Sequence, residues 1–138
     1  MSVAHITTIT ATVAAVGALA TAGLAQAAPR YYGTIALSQL KGTAVATTDD
    51  SKVGADAAAI KDCASYDCDI VLRFDDGCGA IARGADGKWG WADAGSRAEA
   101  EQIAIASLGE SAPAFPDLGS ASPRAATVIA SACTPNTE

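Results

Sequence analysis

The sequence predicts an α+β domain of two β-β-α-β repeats whose helices cover one shared antiparallel sheet, stapled by disulfides. Three observations predict it. The pattern x-Gly-small-Ile-Ala stands at residues 32–36 and again at 78–82, and self-similarity at a fixed period marks repeated supersecondary units. Each copy is followed by a serine, a base and an alanine-rich stretch, Ser51-Lys52 and then Ser96-Arg97. Four cysteines occur in a chain of 138 residues, and a domain too small for a large core gains from covalent staples.

Repeat one spans residues 31–75 and repeat two 77–133. Each opens with a hairpin pattern, 33–37 with 42–47 and 79–83 with 88–92. In the second, Asp86-Gly87 predicts a type I′ turn, which needs positive φ at both central residues. Ser96-Arg97-Ala98-Glu99 is a capping box, because the serine oxygen and the glutamate each satisfy a free backbone N–H at a helix start. Ile103, Leu108 and the alanines around them predict its apolar stripe, and Gly109 its stop. The first helix is expected over residues 53–62, its N-terminus supplied with acceptors and negative charge by Asp49, Asp50 and Ser51. A β-rich run closes each repeat, at 69–74 and 127–132. Residues 110–124 carry three prolines among Ser, Ala and Gly, the composition of an exposed loop.

The N-terminal 27 residues form a separate unit, with no Lys, Arg, Asp or Glu. Residues 13–24 are an apolar run that ends in Ala25-Gln26-Ala27, the small-x-small pattern of a signal-peptidase site. Its apolar core is shorter than the ~20 residues a membrane-spanning helix needs. We therefore expect residues 1–27 to be a signal peptide cut after Ala27, with no permanent membrane anchor. The leader's one departure from the pattern is its start, where His5 replaces the usual positive charge. Residues 28–138 are then a single exported domain.

The net charge is -6, with 9 basic and 15 acidic residues. Nucleic-acid binders concentrate Lys and Arg on one face, so no nucleic-acid partner is expected. The only histidine is His5, in the leader. The mature domain therefore lacks the base for a Ser-His-Asp or Cys-His unit. Zinc is not expected either, since Cys63, Cys68, Cys78 and Cys133 do not follow CxxC knuckle spacing and no histidine completes a mixed site. No catalytic residue, cofactor or metal ligand is assigned.

Carboxylates are the chemistry that remains. Asp67 and Asp69 flank Cys68, Asp75 and Asp76 precede Gly77, and Asp49 and Asp50 precede Ser51. A glycosidase-like pair needs two carboxylates held across a cleft, whereas adjacent aspartates in a strand point to opposite faces and those before a helix serve its N-terminus. Asp75-Asp76-Gly77 lacks the alternating ligands and closing Glu of an EF-hand and is expected to be a solvated turn. Trp89 and Trp91, two apart, share one strand face. Core packing is the expectation for the pair, and a flat binding platform is the alternative.

These residues resemble a small exported bacterial family, common in actinobacteria, catalogued as domain of unknown function 4189. The likeness lies in Tyr32-Gly33-x-Ile35-Ala36, the alanine-rich helix ending in Cys63, Cys68 with its following strand, Cys78-Gly79-Ala80-Ile81-Ala82, and Gly90-Trp91 before Ser96-Arg97-Ala98-x-Ala100. It implies export, this fold and disulfides, and it implies no chemistry. Four cysteines in an oxidising compartment allow three connectivities. The placement of the elements favours Cys63 with Cys68, across the short turn from helix to strand, and Cys78 with Cys133, from the start of repeat two to its last strand.

The functional expectation is a non-enzymatic module that acts outside the cytoplasm and binds a protein or a cell-envelope component. An inhibitor of a secreted or periplasmic enzyme, presenting residues 110–124, is the first alternative. A carboxylate-based cell-wall enzyme is the second.

Overall fold

The computed structural model describes residues 27–113 and 122–137. The leader, apart from Ala27, and residues 114–121 of the proline-rich insert lie outside the described residues. The elements run β1 (Tyr32–Ser38), β2 (Thr43–Asp49), α1 (Lys52–Cys63), β3 (Cys68–Asp75), β4 (Cys78–Arg83), β5 (Trp89–Ala94), α2 (Arg97–Ala106), β6 (Glu110–Ser111), β7 (Arg124–Ala125) and β8 (Thr127–Cys133). This is β-β-α-β twice, with β6 and β7 pairing across the base of the insert. The α+β class and both repeats are as expected.

The strands do not form one shared sheet. They form two three-stranded antiparallel sheets, ordered β2-β1-β3 and β5-β4-β8. Each central strand spends both of its edges within its own repeat, β1 on β2 and β3 and β4 on β5 and β8. No strand of one repeat pairs with a strand of the other, and the two sheets stack face to face.

Alternation along β1 and β4 sets the layers. Ile35, Leu37 and Ile81 meet Phe74 between the sheets. Ala36 faces Ala59 and Cys63 of α1, and Cys78, Ala80 and Ala82 face Ala100 and Ala104 of α2. The order is helix, sheet, sheet, helix, and both central strands are buried on both faces.

Across the middle, β1 lies against β4, β2 against β8 and β3 against β5. Exchanging the repeats exchanges these contacts, which is the relation of a pseudo-twofold axis. The irregularities agree with it: β1 slips register against β3 between Ile35 and Ala36, and β4 slips against β8 between Ile81 and Ala82. Both slips fall at the Ile-Ala step of the repeated motif.

Both helices use alanine to approach their sheets. Ala55 and Ala59 of α1 and Ala100 and Ala104 of α2 are fully buried, whereas Ile103 is 45% exposed. The apolar stripe expected around Ile103 is thus an alanine stripe. Opposite it, a Cβ at Gly90 would come within 3.0 Å of the Ala104 carbonyl oxygen, so glycine there lets α2 sit down on β5. The caps match the reading, since Ser51 accepts from the Gly54 N–H and Ser96 from the Glu99 N–H.

The β4–β5 turn differs from the expected type I′. Gly87 has φ 82° but Asp86 is not in the positive-φ region. The Gly87 N–H donates to the Gly84 carbonyl and the Gly84 N–H to the Lys88 carbonyl, the three-residue loop that ends on a left-handed glycine. Only one left-handed residue is needed, and glycine supplies it.

Candidate functional site

The two disulfides fix the ends of the repeats. Cys63 and Cys68 are bonded across the turn from α1 to β3, and Cys78 is bonded to Cys133. The second pair stands directly opposite in the β4–β8 ladder, so the bond adds a covalent rung to a strand pair. The described residues hold no free cysteine.

Each carboxylate singled out in the sequence has a place. Asp67 accepts from the Ser65 hydroxyl, the Leu40 N–H and the Ser38 hydroxyl. Those bonds, Ser65's foremost, hold its carboxyl down at about 2. Its work is to tie the α1–β3 turn to the β1–β2 hairpin. Asp49 accepts from the Ser51 N–H and hydroxyl beneath the α1 N-terminus, and the backbone bond is the chief reason its carboxyl lies below the usual range. Asp76, at φ 46°, accepts from the Tyr31 N–H and the Asn136 amide, which lower its carboxyl in that order. Together with Asp75 and Gly77 it makes the turn between the repeats, where Thr134 also donates to the Gly77 carbonyl. Asp50 and Asp69 are exposed.

Trp89 and Trp91 come together in a groove of about 510 Å³ at the edge of the sandwich. Leu37 and Val71 of repeat one form the opposite wall, Leu108 follows α2, and Gln39, Asp86 and Lys88 make the polar rim. Trp89 is half-buried, packed on the inter-sheet core, and the Arg83 guanidinium lies 5.1 Å from its ring centroid. Trp91 is 41% exposed. The shared face expected of the pair is seen, but core packing describes Trp89 alone. β5 is an edge strand, with no further strand to cover Trp91.

Sequence reading missed the other wall. Leu37, Val71 and Leu108 are ordinary apolar positions, and only the stacking of the two sheets brings them to the tryptophans. Gly42, which precedes β2 at φ 64°, leaves room for Arg83, whose Nη1 lies 2.7 Å from where a Cβ would stand. That glycine lets the arginine reach across the sandwich. Asp86, the groove's one carboxylate among the described residues, accepts from the Lys88 N–H and pairs with its ammonium at 3.2 Å. The backbone bond leads in holding its carboxyl below the usual range.

Fold and groove define a disulfide-stapled α+β domain of two repeats related by a pseudo-twofold axis, with an aromatic groove on one edge. The chain belongs to the family described as Domain of unknown function (DUF4189), whose sequence profile matches residues 32–133. No curated protein and no solved structure matches it.

Proposed function

We propose that this protein is an exported, non-enzymatic interaction module that docks on a saccharide component of the cell envelope through the Trp89–Trp91 groove. Trp91 carries the reading. A large indole left 41% exposed in a groove presents rigid amphipathic area at small entropic cost. The C–H face of a pyranose ring stacks on such a surface, and Gln39, Asp86 and Lys88 at the rim suit its hydroxyls.

The carboxylates favour binding over catalysis. A glycosidase needs two carboxyl groups across the cleft, one of them held protonated. Among the described residues this groove contains one, and its bonds to Lys88 favour the ionised form. Export is supported by the apolar leader and by two disulfides, which persist in oxidising compartments. Among the described residues no helix is long and apolar enough to cross a membrane.

Co-sedimentation of the oxidised protein with purified cell-wall material tests the proposal. Wild-type protein should pellet saturably and Trp91→Ala should stay in the supernatant. Equal pelleting of the two would sink it.

A further inference from the structure

The pseudo-twofold axis permits an internal comparison. In repeat two, the first rung of β4 on β8 is Cys78 opposite Cys133, closed by the disulfide. Beside it Arg97 Nη1 donates to the Ser131 carbonyl at 3.2 Å, and the Ser131 hydroxyl donates to Glu101 at 2.6 Å. Arg97 and Glu101 are the first and fifth residues after the Ser96 cap.

The same positions in repeat one are built differently. The first rung of β1 on β3 is Tyr32 opposite Asp75, with no covalent closure. Lys52 and Asp56 are the first and fifth residues after the Ser51 cap. Arg73 replaces Ser131 on the last strand and donates from Nε to both Asp56 oxygens at 3.1 Å, while Thr34 donates to Asp56 at 2.7 Å. At these positions repeat one holds a cavity of about 240 Å³ lined by Tyr32, Thr34, Lys52, Asp56, Arg73 and Asp75.

The two lining cations differ in what they are bound to. Asp56 takes up Nε and Nη2 of Arg73, and no partner of Nη1 is found among the described residues. Lys52 has no carboxylate partner among them either, and its ammonium stands 5.4 Å from the Tyr32 ring centroid. With Asp56 held by Arg73 and Asp75 paired to Arg30 at 3.8 Å, the cavity offers the Lys52 ammonium and Arg73 Nη1 beside an aromatic ring. It is smaller than the roughly 300–1,000 Å³ of pockets for drug-sized ligands, which limits the occupant to amino-acid size.

We infer that this cavity is a second binding site, independent of the tryptophan groove, that takes a small carboxylate of amino-acid size, with the anion between Lys52 and Arg73 and its side chain against Tyr32. Repeat two uses these positions for structure, and repeat one uses them for a ligand.

NMR titration of the oxidised protein with free and N-acetylated amino acids, with acetate and inorganic phosphate as small-anion probes, tests the assignment. At least one amino-acid probe should shift the resonances of Tyr32, Lys52 and Arg73 saturably and leave the indole N–H signals of Trp89 and Trp91 in place. Lys52→Met should weaken that binding about tenfold or more with melting temperature unchanged, since Lys52 is exposed and bonded to no carboxylate. Lys61→Met, on the same helix outside the cavity, should bind as wild type. No shift with any amino acid at millimolar concentration, equal binding of phosphate, or undiminished binding by Lys52→Met would each overturn it.

Discussion

The ring of Phe74 occupies the space a Cβ at Gly79 would need: its Cε1 lies 2.4 Å from that position. Gly33, the matching glycine of repeat one, meets the same ring from the other side, with Cζ at 2.1 Å. One side chain thus fits between the repeated glycines of both halves, at 5% exposure. Gly79→Ala overpacks this contact and should destabilise the domain by about 1–3 kcal/mol. Urea denaturation checks it, and Phe74→Leu in the same chain should recover part of the loss, because contacting residues do not add.

The two disulfides should differ in worth. On the chain-entropy model the Cys78–Cys133 bond, with a sequence separation of 55, contributes about 4 kcal/mol, and the Cys63–Cys68 bond, with a separation of 5, about 2 kcal/mol. Replacing each pair with serine and comparing melting temperatures should show the larger drop for Cys78 and Cys133.

Acid stability should report Asp67. Its folded carboxyl lies at about 2, below the ~3.9 of an unfolded aspartate, so the folded state favours the ionised form. That contribution is complete above about pH 4 and is lost as pH falls through about 2. Melting temperature should therefore fall over this window in the wild type and fall less steeply in Asp67→Asn.

The tryptophans should separate under substitution. Trp89 packs on the inter-sheet core, and Trp89→Ala should cost about 3 kcal/mol or more. Trp91→Ala should cost well under half of that, because much of its ring is already in water. Equal losses in denaturation curves would place both in the core.

The sequence made the repeats legible because their residues do the same work twice. Gly33 and Gly79 both accommodate Phe74, Ile35 and Ile81 both face the other sheet, and Ser51 and Ser96 both cap helices. The stacking of two sheets was not legible, since a strand buried on both faces reads as an apolar run whichever layer covers it. Ala36, Ala80 and Ala82 carry no mark saying that a helix lies above them. The same lack hid the groove: Trp89 and Trp91 stand out in composition, but Leu37 and Val71 become its wall only through a packing between repeats. Ile103 misled because size suggested burial, whereas a closely seated helix needs the small Ala100 and Ala104.

The most direct test of the binding proposal is to follow the Trp91 indole N–H resonance of the oxidised protein while soluble cell-wall saccharide fragments are added. The account predicts a saturable shift at Trp91 and a smaller one at Trp89, and the Trp89 shift should vanish in Trp91→Ala, a variant that remains folded. An unmoved Trp91 resonance at fragment concentrations where the wild-type protein is retained on cell-wall material would contradict it.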